Sequence, residues 1–194
     1  MGFLLAAIRG PIVFYTAGRH YGAGSMTDRK PVHEPIATLD GVPIHEGGSY
    51  LIKDSTSAKL YSIYNALIER VDAGLCISRS YPQKVISQHH VKRGQFIWMT
   101  TNTVGFDRCV NPTNISALHM AIGDFLKRPS RGVVTMDGLE YLVSNNGFEP
   151  ILRLLHSIND KVTVSRHVLM VNIDEHTVDP REMRILEKDF ELVL

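Results

Sequence analysis

Arg131-Gly-Val-Val-Thr-Met-Asp137-Gly-Leu-Glu140-Tyr-Leu142 decides how this chain is read. A run of strand-forming apolar residues ends abruptly on a carboxylate and a glycine, and a second carboxylate follows three residues later. In a parallel α/β sheet this places charge at the carboxyl end of a strand, where such sheets put their ligand crevice.

The flanks support such a sheet. Upstream, Gln95-Phe-Ile-Trp-Met-Thr100 is too continuously apolar for a strand with one wet face, as buried parallel strands are. Asn111-Pro112-Thr113-Asn114 then opens a helix with Ile115, Leu118, Ile122, Phe125 and Leu126 inward, ending near Pro129. Downstream, residues 148–158 predict an amphipathic helix, and His167-Val-Leu-Met-Val-Asn-Ile173 a further strand. Asp179-Pro180-Arg181-Glu182 combines a capping Asp with Pro at the first helical position, and a short helix then precedes an edge strand at Phe190–Leu194.

Earlier in the chain, Ser49–Lys53 is a short strand and Asp54-Ser55-Thr56-Ser57 supplies turn and capping residues. Leu60, Ile63, Tyr64, Leu67, Ile68 and Val71 form one helical stripe that stops at Gly74, and Leu75–Arg79 is the next strand. This strand-helix-strand unit implies a parallel pair with a right-handed crossover. The alternation commits the fold to an α/β three-layer sandwich with a mainly parallel sheet and a C-terminal edge strand.

Composition bounds the function. Apolar residues make up 44% and charged residues 21%, and 21 basic against 20 acidic residues leave a formal charge of +1. That balance gives no field that would favour nucleic acid. Residues 1–21 hold two apolar runs broken by Arg9-Gly10-Pro11, too short and too interrupted to span a membrane. Three readings of this segment stay open: packing on the core or on a second copy, lying in a membrane interface with Arg9 and Arg19 near headgroups, or being the remnant of a longer membrane-bound or fused architecture. Residues 22–48, with five glycines and three prolines, read as a linker or arm, which puts the main domain at 49–194. The expected location is the cytoplasm, with membrane association left open through residues 1–21.

The opening stretch resembles the Walker B strand of a RecA-type ATPase, so the loop after the first strand should carry the phosphate cradle G-x-x-x-x-G-K-[ST]. The sequence there is Lys53-Asp-Ser-Thr-Ser-Ala58-Lys59-Leu60. Lys59 stands where the P-loop lysine would be, but Lys53 and Ala58 replace both glycines and Leu60 replaces the magnesium-binding hydroxyl. Asp54 adds negative charge where phosphates should sit, and Thr100-Thr101-Asn102 offers no general base. Conventional ATP hydrolysis is not expected.

Gly48-Ser-Tyr-Leu-Ile52, Leu75-Cys-Ile-Ser-Arg79 with Pro82, Trp98-Met-Thr100, and Asp137-Gly-Leu-Glu-Tyr-Leu142 with Asn146, Phe148 and Asn159-Asp160 resemble an archaeal family of domains of unknown function. That family is similar to the RecA and KaiC ATPase core without a working P-loop, and the similarity covers about residues 47–194. The resemblance implies a degenerate RecA-like fold, a context beside transmembrane or signalling segments, and no established activity.

Arg79, Asp137, Glu140 and Lys59 are the candidate ligand- or partner-binding residues. Arg79 and the two carboxylates fall at or just past strand ends, either to hold a small ligand or a partner's charged side chain, or as an ion-pair network closing a vacated nucleotide site. No catalytic residue, metal site or cofactor is assigned. His89-His90 reads as a solvated loop, Trp98 as core, Cys76 as a buried reduced thiol, and no serine lies in a G-x-S-x-G elbow. The sequence therefore points to a non-enzymatic regulatory or protein-interaction module that self-associates, with a nucleotide- or small-ligand-binding sensor as the alternative.

Overall fold

The computed structural model describes residues 35–39, 41–102, 108–190 and 192–193. In chain order these are β1 (Ala37–Leu39), β2 (Val42–Ile44), β3 (Ser49–Lys53), α1 (Ala58–Leu67), β4 (Ala73–Ser78), α2 (Pro82–His89), β5 (Gln95–Met99), β6 (Cys109–Val110), α3 (Ile115–Leu126), β7 (Gly132–Asp137), α4 (Leu139–Asn146), α5 (Phe148–Thr163), β8 (His167–Ile173), α6 (Pro180–Asp189) and β9 (Leu192–Val193). β1 and β2 pair as an antiparallel hairpin. The other seven strands form one sheet in the order β6-β5-β4-β7-β8-β3-β9, with every pairing parallel.

Period-two alternation divides the strand side chains between two cores. Leu51, Leu75, Ile77, Val134, Met136, Leu169 and Val171 face a layer made by α3, α4, α5 and α6. Tyr50, Ile52, Cys76, Val133, Val168 and Met170 face the other layer, made by α1, α2 and the hairpin. The result is the α/β three-layer sandwich expected from the sequence, with β7 and β8 at its centre. β8 is buried at all seven positions, as a parallel strand covered on both faces must be. Helix caps follow the sequence as well: Asn114 accepts from the Ala117 amide and Asp179 from the Arg181 amide.

Three expectations are corrected. β3 and β4 do not pair, because β8 and β7, the most deeply buried strands, lie between them. The part of the presumed arm from residue 37 onward is a hairpin whose Ala37 and Ile44 sit in the core beside α1, so the domain begins upstream of Gly47-Gly48. Residues 1–21 and the first part of the arm lie outside the described residues. Finally, α1 ends at Leu67 rather than running to Gly74, which lies inside β4.

Gly74 has a different task. A Cβ there would lie 2.1 Å from the Tyr64 hydroxyl, which donates to the Arg93 carbonyl at 2.6 Å. Tyr64 is fully buried, and its phenol reaches that carbonyl because β4 carries no side chain in its path. Gly74→Ala must therefore push the ring aside or break its hydrogen bond. Denaturant unfolding of this variant should show a loss of about 1–3 kcal/mol, the usual cost of overpacking; an unchanged midpoint would mean that the contact yields freely.

Candidate functional site

Strand connectivity fixes where the site lies. From β4 the chain crosses through α2 to β5 on one side, and from β7 it crosses through α4 and α5 to β8 on the other. The order reverses between β4 and β7, and open α/β sheets place their crevice at the carboxyl ends of such a pair. Ser78 and Asp137 are register partners there. Gly138 follows at φ +99°, a left-handed turn that starts α4 and brings its backbone against the Cβ of Arg79.

Hydroxyl groups surround Asp137. Ser57 donates to its Oδ1 at 2.6 Å, and Tyr61 and Ser78 donate to its Oδ2, each at 3.2 Å. Burial and the negative charge of Asp137 push the Tyr61 phenol far above its usual range, so it stays a proton donor. Asn172 of β8, almost wholly buried, donates both to the Ser57 hydroxyl and to the Asp54 carbonyl. Asp137 thus ties β7 to β4, to α1 and to the loop after β3.

That loop satisfies itself. The Asp54 carboxylate accepts from the Thr56 amide at 2.9 Å, the Thr56 hydroxyl at 2.8 Å and the Lys59 amide at 2.7 Å. Although burial alone would raise its pKa, these hydrogen bonds and the charge of Lys59 bring it below the usual carboxylate range. Amides at the start of a helix are the groups a P-loop turns toward phosphate; here a carboxylate of the chain accepts from one of them, Lys59, and from the Thr56 amide just before the N-cap. Lys53, at the first glycine position of the motif, reaches away to Glu175 and Glu187.

The four candidate residues do not close into an ion-pair network. Among the described residues no salt bridge joins Arg79 to Asp137 or Glu140. Arg79 is exposed and lies over the Tyr141 ring, 4.6 Å from its centroid, a contact worth about 0.5–1 kcal/mol. Lys59 is half-buried in the first turn of α1, where its charge acts on Asp54. Glu140 sits in the first turn of α4 with a buried Oε2 that has no hydrogen-bond partner. Burial raises its pKa first, helped by Asp137 and Asp174; its own backbone amide and, least, Arg79 pull the other way.

Beside Arg79 lies an aromatic pair. Tyr81 packs edge-on against Trp98 at 5.1 Å, and the Trp98 indole N–H donates to the Arg79 carbonyl at 3.0 Å. Trp98 is therefore half-exposed at the crevice rim and not the core residue expected. His89 is the last residue of α2, with its ring stacked on Tyr61 at 4.6 Å. Cys76 is buried, its thiol pushed up to about 11 by desolvation. Sequence reasoning found Asp137, Glu140 and Arg79 but missed Ser57, Ser78, Tyr61 and Asn172. The available signal was the polar residue ending each apolar strand: Ser78 on β4 and Asn172 near the end of β8.

Among the described residues no group of three or more His, Cys, Asp or Glu side chains is arranged to hold a metal ion. No helix among them is long and apolar enough to cross a membrane.

No curated protein matches the chain. Among solved structures, a protein of Pyrococcus horikoshii OT3 known from a structural study superposes with a TM-score of 0.53 at 12% identity, over 78% of this chain and 82% of that one. At that identity the likeness speaks for the α/β fold alone. The model of one family, described as Protein of unknown function (DUF835), matches residues 53–190, which span both Asp137 and the loop that faces it, and the chain belongs to that family.

Proposed function

We propose that this domain is a non-enzymatic regulatory or protein-interaction module built on a degenerate RecA-like ATPase fold. The observation that carries the proposal is the Asp54 carboxylate, which accepts the Thr56 and Lys59 amides. A nucleotide phosphate would have to displace a fixed negative charge from the groups meant to bind it. Asp137 is likewise engaged with three hydroxyls, which compete with a magnesium ion for its oxygens.

The interaction surface in this proposal is the crevice rim. Arg79, Tyr81, Trp98 and Tyr141 combine an exposed guanidinium with aromatic rings, the composition that dominates binding hot spots. The partner is a protein that supplies a carboxylate to Arg79 and apolar area to the rings. Residues 1–21 contribute self-association or membrane proximity, in a cytoplasmic setting. A second reading, a small-ligand sensor, draws on the buried Glu140 Oε2 and Asn172 Oδ1, both of which lack hydrogen-bond partners.

Calorimetry of wild type and Arg79→Ala with ATP and magnesium, GTP and cyclic dinucleotides separates the two. No heat should appear with any of them, while a partner retained by the wild-type chain in affinity purification should be lost with Arg79→Ala. Saturable heat that disappears in Arg79→Ala would favour the sensor instead.

Glu140 supplies a second test. Its folded pKa is raised above the unfolded value, so its contribution to stability is fully present below the ordinary carboxylate pKa and is lost as pH rises. Glu140→Gln should therefore raise the melting temperature by a few degrees at neutral pH, with the gain vanishing toward about pH 4. A lower melting temperature at neutral pH would show that the carboxylate holds the fold together.

A further inference from the structure

At the opposite end of the sheet from Asp137, a groove of about 670 Å³ runs between α3 and the end of α5. Gly123, in the last turn of α3, forms part of its lining. Met120 and Val164, 66% and 87% exposed, are the two most exposed large apolar side chains among the described residues, and both line this groove. Around them stand Lys127, Arg128, Lys161 and Arg166, against one lining carboxylate, Asp124.

Several of these charges have local work. Lys127 pairs with Asp124, Arg166 pairs with Glu46, and cations near the end of α3 offset its dipole. Lys161 instead donates to the His119 Nε2 at 2.6 Å, and burial together with the Lys161 charge lowers the pKa of the imidazole. Arg128 donates to the side-chain amide Oε1 of Gln95 and lies over the Phe125 ring. Lys161 and Arg128 therefore border the groove with no carboxylate at salt-bridge distance, Asp124 acting on Lys161 only from farther away. Helix dipoles account for charge here but not for the exposure of Met120 and Val164, and mainly positive charge around bare apolar surface is the pattern of a docking groove.

We propose that this groove docks an amphipathic helix of a partner protein whose apolar stripe is bordered by carboxylates. Apolar knobs at helical spacing would cover Met120, Gly123 and Val164, and flanking acids would meet Lys161 and Arg128. The chain's own residues 1–34 do not complement the groove, since Arg9, Arg19, Arg29 and Lys30 outnumber Asp28 and Glu34. A flat bilayer does not enter a concave groove between two helices, and nucleic acid would leave its apolar lining uncovered.

The test is selection of helical peptides from a randomised phage-displayed library on the immobilised full chain, followed by affinity measurement. Selected sequences should converge on an apolar stripe flanked by Glu or Asp, and binding should weaken as salt rises. Met120→Asp and Lys161→Glu should each weaken binding at least about tenfold with unchanged circular dichroism, and Arg79→Ala, outside the groove, should leave it intact. Failure to select a binder, absence of acidic enrichment, or binders indifferent to both groove substitutions would overturn the proposal. So would flotation of the chain with anionic phosphatidylglycerol vesicles that is abolished by Lys161→Glu, since the groove would then serve lipid.

Discussion

A single carboxylate at the end of the central strand holds the top of this domain together. Asp137 accepts hydrogen bonds from Ser57, Tyr61 and Ser78, which come from three different segments. A partly buried charge is tolerated where hydrogen bonds replace its water, and bonds to a charged acceptor are worth about 1.5–3 kcal/mol each. The arrangement fixes the loop after β3 against β7 across the intervening β8, whose Asn172 bonds the same loop. The residues that resemble a Walker B strand in sequence form a hydrogen-bonded clasp in three dimensions. Ser57 takes the left-handed conformation at φ 59° within it, an uncommon backbone state for a residue with a side chain, so the clasp also shapes the start of α1.

The sequence was most legible where burial dictated it. β3, β7 and β8 run as read because an all-buried parallel strand needs an unbroken apolar run, and α3 and α5 follow their stripes. Strand order was hidden, because a strand-helix-strand unit does not reveal which later strands insert between its members, and here β7 and β8 separate β3 from β4. α2 was missed since only Pro82 and Val85 of its eight residues are buried. The β1–β2 hairpin was missed because three-residue strands carry too short a period, and β6 has only two residues.

The candidate site was half legible for a related reason. Charged residues after apolar runs draw notice, whereas Ser57, Ser78 and Asn172 become informative only when the sheet brings them to one carboxylate. Trp98 misled because an indole in an apolar strand normally packs inward; β5 lies near the edge of the sheet, and its indole N–H finds the Arg79 carbonyl at the surface. The two ends of the sheet consequently differ in character. The carboxyl ends carry hydrogen-bonded acids under an aromatic rim, and the amino ends carry cations around exposed apolar side chains.

In the proposed reading, Asp54 occupies the place of a phosphate. Amide NMR on the labelled chain, titrated with ATP and magnesium, tests it directly through the Thr56 and Lys59 resonances, whose N–H groups are bonded to that carboxylate. Both are expected to stay unmoved up to millimolar nucleotide. Saturable shifts of these two amides would show that phosphate displaces the carboxylate, and would contradict it.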